Sequence, residues 1–233
     1  MIERCEALCR PPEADADLAA YVASAERNGT IKEYNARVLD ESLADWCKNG
    51  PKSVGLSINL SVLNLSEPDL VKRIEKALKK HRLEGRLLWF EFDDRARSIN
   101  DAAMLATLAG LRGLGVRLSI DSFGDDFTQA TLYEIARLTI HELKVDARYV
   151  RDADENMSHR NIITATVGVA QHLRIRVSAK GIETESIAAL MLRLGCTHGQ
   201  GFYFARPMAA RAVTALVAEM ARSGPASSAG ELR

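Results

Sequence analysis

The stretch MLATLAGLRGLGVRLSIDSFGDDFTQATLYEIARLTIHELKVD, residues 104–146, decides the fold. Met104, Leu108 and Leu111 recur on one helical face, and Gly113 and Gly115 end that helix. An apolar run follows at 116–121 and finishes on Asp121; a second, at 142–146, finishes on Lys144 and Asp146. A helix feeding a short apolar strand that ends in charge is one unit of β-α alternation. Outward from it, further apolar runs at 3–9, 54–60, 87–92, 175–180 and 199–205 read as strands, making seven in all. Helical patterns lie between them. Leu39, Leu43 and Trp46 share a face, and that segment stops at Asn49-Gly50-Pro51. Ser66-Glu67-Pro68-Asp69 offers an N-cap, an early proline and an acid before Leu70, Ile74 and Leu78. Ile163, Val167 and Ala170 mark another helix, and Ile187, Leu190, Met191 and Leu194 one ended by Gly195.

Alternation of this length predicts a mostly parallel sheet, either doubly wound or closed as a (β/α)8 barrel. The polar residues decide between the two. Glu6 and Arg10, Asn59, Glu91, Asp121, Lys144 and Asp146, and Lys180 stand at the C-terminal ends of different strands. A doubly wound sheet gathers ligands at one switch point, whereas a barrel collects them from many strands onto one face. The pattern predicts a TIM-like barrel. The domain is expected over 1–222, with residues 223–233, SGPASSAGELR, as a flexible tail.

The chain has 233 residues, with 31 Lys+Arg against 31 Asp+Glu. That balance argues against a binder of nucleic-acid polymers, which needs a basic excess. No apolar run reaches the 18 or more residues of a membrane helix, and MIERCEALCR carries charge where a signal peptide would be apolar, so a cytoplasmic protein is expected. Cys5, Cys9, Cys47 and Cys196 form no CxxC pair and read as reduced, mostly buried thiols rather than zinc ligands. Strand parity places four carboxylates, Glu6, Glu91, Asp121 and Asp146, and the amide of Asn59 on one face. Clustered carboxylates repel unless a hard divalent cation such as Mg²⁺, Mn²⁺ or Ca²⁺ intervenes, while a nearby Arg and Lys suit phosphate oxygens. The pattern predicts metal-assisted phosphoester chemistry or binding derived from it. His198 reads as a packing residue, Trp89 as barrel core, and Lys79-Lys80-His81-Arg82 as a helix end that complements its dipole.

These residues carry a resemblance. Glu6-Ala7-Leu8-Cys9-Arg10, Ser57-Ile58-Asn59-Leu60-Ser61, Glu91, Asp121-Ser122-Phe123-Gly124, Leu143-Lys144-Val145-Asp146, Lys180-Gly181-Ile182-Glu183-Thr184 and Gly199-Gln200-Gly201-Phe202, in that order, resemble the EAL-domain family. That family comprises barrel phosphodiesterases that linearise cyclic di-GMP, together with inactive relatives. The resemblance implies that Glu6, Asn59, Glu91 and Asp121 hold a first metal and that Asp146 is a second-metal ligand. It implies that Lys144 contacts the attacking water and the scissile phosphate, that Arg10 contacts phosphate, and that Gln200 belongs to the same pocket. Glu183 resembles the family's structural glutamate, and Asp94 stands where an acid braces the loop after the aspartate motif.

Two departures matter most. Active members carry a second aspartate where this chain has Ser122, and a glutamate that acts as general base and second-metal ligand where it has Lys180. Six carboxylates and one lysine, a charge of −5, become four carboxylates and two lysines, a charge of −2, so two divalent cations are disfavoured. Lys180 then reads as a phosphate-attracting charge, or as a salt-bridged structural lysine. Loss of a general base alone costs about 10²- to 10⁴-fold. The usually Thr-Gly-rich loop reads Asp125-Asp126-Phe127-Thr128, and Asp94 is one methylene shorter than the family's acid. Only five residues precede Glu6, where members have an antiparallel strand, so the barrel is expected to lack or truncate that strand. The chain is then a fragment of a longer protein, or its edge is covered by a partner or a second copy. Three functions follow: a catalytically inactive cyclic di-GMP receptor or signalling module holding at most one divalent metal; a weakly active phosphodiesterase relying on Lys144; or a nucleotide-independent protein-interaction domain.

Overall fold

The computed structural model describes residues 1–10, 17–93, 96, 101–123 and 129–223. Seven strands, β1 (Arg4–Glu6), β2 (Gly55–Asn59), β3 (Leu88–Asp93), β4 (Arg117–Phe123), β5 (Glu142–Val145), β6 (Arg176–Lys180) and β7 (His198–Gln200), form one parallel sheet in sequence order. Helices α1 (Leu18–Arg27), α2 (Ile31–Asn49), α3 (Leu70–His81), α4 (Ala102–Gly113), α5 (Gln129–Leu138), α6 (Ala147–Val150), α7 (Met157–Leu173), α8 (Glu185–Arg193) and α9 (Ala210–Ser223) accompany it. All seven expected strands are present, and the helices read from Leu39, Leu70, Met104, Ile163 and Ile187 are α2, α3, α4, α7 and α8. Asp94, the loop 124–128 and the tail 224–233 lie outside the described residues.

Three boundaries differ from expectation. Strand 3–9 pairs only over β1. Strand 199–205 ends at Gln200, because Gly201 turns beneath Ile182: a Cβ there would sit 2.0 Å from the Ile182 carbonyl oxygen, and Tyr203 N–H donates to that oxygen at 3.1 Å. The third helix starts at Leu70 rather than after Ser66, which closes a 3₁₀ turn over 62–66. Glu67 is held there by Asn64 (2.5 Å) and Arg73 (2.9 Å).

Alternation along each strand sends one set of side chains outward and one inward. Leu56, Ile58, Leu88, Phe90, Phe92, Leu118, Ile120, Leu143, Val145, Val177 and Ala179 face the helices and are buried in a single apolar core. The inner set is polar. Register stacks it in layers drawn alternately from odd and even strands, the packing rule of parallel barrels. Arg4, Trp89, Glu142 and His198 form an odd layer; Ser57, Ser119 and Ser178 an even one above it. Glu6, Glu91, Lys144 and Gln200 come next, and Asn59, Asp121 and Lys180 top the stack. The serines are the smallest of these residues, and their layer leaves room for the long charged chains above and below.

Among the described residues no backbone ladder joins β7 to β1. Side chains bridge that seam: His198 Nε2 meets Glu3 at 2.8 Å, Gln200 Nε2 donates to Glu6 at 2.8 Å, and Arg176 pairs with Glu3. Across the barrel, Arg4 Nη2 donates to Glu142 at 2.6 Å and lies 4.2 Å from the Trp89 ring centroid; Ser119 Oγ adds a bond to Glu142 at 3.0 Å. Glu142 is fully buried. Removing one partner of a buried pair strands the other charge, at a cost of about 3–5 kcal/mol. Arg4→Met should therefore lower urea-unfolding stability by about 3–5 kcal/mol, whereas Arg4→Met with Glu142→Gln should lose distinctly less; equal losses would show that the pair does not hold the lower barrel.

Candidate functional site

The two upper layers assemble the site at the C-terminal ends of the strands. Lys144 projects from β5 into the middle of it with no solvent exposure. Its Nζ pairs with Glu91 Oε2 of β3, lies 3.3 Å from Glu6 of β1 and 3.9 Å from Asp121 of β4. Glu6 also accepts from Asn59 Nδ2 of β2 at 2.7 Å and from Gln200 Nε2 of β7 at 2.8 Å. From β6, Lys180 Nζ bonds both carboxylate oxygens of Asp121, at 2.8 and 2.7 Å. Seven residues from seven strands thus meet as one network.

The electrostatics follow from that arrangement. Burial works to strip Lys144 of its proton, but the carboxylates of Glu91, Glu6 and Asp121 outweigh it and raise its pKa, so the ammonium persists. Burial likewise works to raise Glu6; Lys144 and the bonds from Gln200 and Asn59 win, and hold it down to about 2. Glu91 goes the other way. Fully buried and close to Glu6 and Asp121, its carboxyl is raised despite Lys144 and Arg4. With three carboxylates about the ammonium, we assign the Lys144–Glu91 contact as ammonium to carboxylate.

The remaining site residues lie apart from this network. Asp146 caps α6, accepting from Arg148 N–H at 2.9 Å, with the Arg148 guanidinium 3.6 Å away. Arg10 is exposed beyond β1, its Nη1 donating to the Cys9 carbonyl at 3.1 Å. Glu183 follows β6 and lies 3.8 Å from Arg151. Ser122 takes a left-handed conformation, φ 56°, where the β4–β5 register shifts, and its hydroxyl donates to Asp121 at 3.3 Å. Trp89 is barrel core, and His198 belongs to the β1–β7 seam. Cys196 is buried, and the other three thiols are half-buried. Sequence reasoning missed Arg4 and Glu142, although Arg4 shares parity with Glu6, and Glu142 with Lys144.

The donor set can be tested against a metal. Glu6, Asn59, Glu91 and Asp121 offer only hard oxygen donors, and Glu91 Oε1 is buried without a hydrogen-bond partner. Those features suit one divalent cation, which would compete with the Lys144 ammonium for the same oxygens. Among the described residues no three acidic, His or Cys side chains already surround a common point. A second cation does not fit: Lys180 brings positive charge to Asp121, and Asp146 is turned to α6.

The family model described as the EAL domain matches residues 2–207. The chain is 32% identical over 201 residues to the bifunctional diguanylate cyclase/cyclic di-GMP phosphodiesterase MucR of Pseudomonas aeruginosa, covering 85% of this chain and 29% of that protein. To the cyclic di-GMP phosphodiesterase NbdA of the same organism it is 30% identical, over 81% of this chain and 24% of that one. The chain therefore spans less than a third of these relatives' length. A solved structure of the PaMucR phosphodiesterase in complex with c-di-GMP superposes with a TM-score of 0.74 at 32% identity, over 84% of this chain and 79% of that one. A manganese/c-di-GMP complex of Klebsiella pneumoniae BlrP1 gives 0.75 at 26%, over 88% and 51%.

The depressed Glu6 carboxyl stabilises the fold above about pH 4.5, and that contribution drains away as the pH falls toward 2. A denaturation series from pH 5 to pH 2 should show a steep acid limb in the wild type and a shallower one in Glu6→Gln. Identical limbs would mean that Glu6 is not held ionised by Lys144.

Proposed function

The chain belongs to the EAL domain family, and from that premise we propose that it is a catalytically silent member, a cyclic di-GMP receptor or signalling module. The observation that carries this reading is the Lys180 ammonium on both oxygens of Asp121. By the family resemblance, Lys180 stands where active members place the general base, and Ser122 where they place another acid. An ammonium there neither accepts the proton of an attacking water nor ligates a cation. It does offer fixed positive charge to a phosphodiester.

One divalent cation, Mg²⁺, Mn²⁺ or Ca²⁺, suits Glu6, Asn59, Glu91 and Asp121. It would supply charge to a phosphate oxygen and offset the site's −2 balance of four carboxylates against two ammoniums. Lys144 and Lys180 then present ammoniums beside the phosphate, Gln200 fixes the Glu6 carboxylate through its amide, and Arg10 supplies an exposed guanidinium at the rim. Among the described residues no helix is long and apolar enough to cross a membrane. A protein partner, a homodimer and a cytoplasmic location belong to the same proposal, as outputs and setting of a signalling module.

The weakly active phosphodiesterase is the second reading, favoured by the intact set Glu6, Asn59, Glu91, Asp121 and Lys144. Purified protein with cyclic di-GMP and Mg²⁺ or Mn²⁺ separates the two. We expect saturable calorimetric binding, weakened in Arg10→Ala and Glu6→Ala, with no linear dinucleotide above the heat-denatured control. Ser122→Asp combined with Lys180→Glu should raise turnover by at least about 10²-fold. Turnover by the wild type would establish the enzyme; absence of binding would remove the receptor and leave a barrel used for protein contacts.

A further inference from the structure

The opposite end of the barrel carries an unassigned constellation. Below the layer of Arg4, Trp89, Glu142 and His198, the even strands contribute Gly55, Arg117 and Arg176, so glycine leaves the lowest inner layer short of one side chain. Beside Arg117 and Arg176, at the starts of β4 to β6, opens a cavity of about 460 Å³. Arg117 and Arg176 line it together with Arg86, from the turn before β3, and Arg112 and Arg174, from the ends of α4 and α7. No carboxylate lines it. Five arginines therefore line one concavity in a chain whose net charge is zero.

Partners account for only part of that charge. Arg176 pairs with Glu3 and Arg86 with Glu84, both acids lying outside the cavity lining. Arg112, Arg117 and Arg174 form no ion pair among the described residues. Helix C-termini attract basic residues, which explains Arg112 and Arg174 individually but not Arg117, which comes from the start of a strand. Arg117 sits 5.3 Å from the Trp89 ring centroid and Arg176 5.7 Å, on the ring that Arg4 also covers. Burial and the neighbouring Arg176 pull the Arg117 guanidinium below its ordinary pKa, and Glu3 offsets them only in part.

The rest of the wall completes a recognition surface. His141 Nδ1 accepts from Leu118 N–H at 3.1 Å, which leaves the ring proton on Nε2 as a donor. Burial, with Arg112, Arg117 and Arg176 near it, lowers the pKa of His141 and favours that neutral form. Val116, Ile140 and Ile175 add an apolar portion able to carry the body of a small organic ligand. Guanidiniums present planar, paired donors that match phosphate oxygens. We propose that this basal cavity is a binding site for a phosphorylated small molecule bearing two or more linked phosphates, separate from the nucleotide site at the strands' C-terminal ends. Four residues of β4, about 13 Å, separate Arg117 from Asp121. The proposal stands whether or not cyclic di-GMP binds above.

The test uses the full chain and inorganic tripolyphosphate, titrated calorimetrically at low salt. Saturable one-to-one binding is expected. Arg112→Gln with Arg174→Gln, both exposed and at helix ends, should weaken it at least about tenfold while leaving the melting temperature unchanged. Lys180→Ala should bind as the wild type does. Guanosine triphosphate at the same concentrations distinguishes the ligand's source: equal affinity assigns recognition to the phosphate chain alone, and tighter binding adds a nucleoside on the Val116–Ile140–Ile175 wall. The proposal is overturned by an absence of saturable binding, by affinity unchanged in the double variant, by loss in Lys180→Ala instead, or by tighter binding of an oligoglutamate peptide than of tripolyphosphate. If the double variant fails to fold, Arg86→Gln alone replaces it with the same expected direction.

Discussion

The upper half of the barrel depends on one buried ammonium. Lys144 lies among Glu91, Glu6 and Asp121, and without it three carboxylates from three strands would face one another in a largely buried space. Burying such charge unpaired is costly, so the carboxylates would protonate or the strand ends would separate. With the ammonium in place the same groups become a rigid anchor: Glu6 is held by Asn59 and Gln200, Asp121 by Lys180, and the seven strands converge at one height. The site and the fold are here the same set of contacts.

That double role explains why the barrel interior tolerates so much charge. Parallel barrels are usually filled by branched apolar side chains. Here one layer holds serines, and the long side chains of Arg4, Glu142, Glu91 and Lys144 extend into the volume it leaves above and below. Three of the layers, those of Arg4 and Glu142, of Glu6, Glu91 and Lys144, and of Asp121 and Lys180, bring opposite charges together, so attraction acts across the barrel axis as well as along the sheet. The apolar work is done outside, where Ile58, Phe90, Leu118 and Leu143 press against the helices.

Sequence carried the architecture because strands and helices announce themselves by local periodicity, and the strand-end acids by parity. Glu6, Asn59, Glu91, Asp121 and Lys144 were legible from parity and Lys180 from its place at a strand end, whereas Gln200 was legible only through the family resemblance. Partner choice was not. Nothing local says that Lys180 takes Asp121, or that Asp146 turns away to cap α6, because those outcomes depend on register and side-chain reach across neighbouring strands. The early end of β7 was hidden for a similar reason: its cause is the close approach of Gly201 to Ile182, a contact between segments some twenty residues apart. The basal arginines were hidden by dispersion, since Arg86, Arg112, Arg117, Arg174 and Arg176 come from three separate connections and form no run.

The seam between β1 and β7 gives the barrel a direction of breathing. Every other strand junction is a ladder of backbone bonds, but here Arg176, His198 and Gln200 reach across to Glu3 and Glu6 by side chains. Side-chain links part more readily than a ladder, so the least costly local opening of the barrel is a hinge motion along this line, and amide protons bordering it exchange with solvent before those of β3 and β4. Since Glu6 is both a seam residue and a member of the Lys144 network, whatever tightens the grip on that carboxylate also zips the cylinder shut.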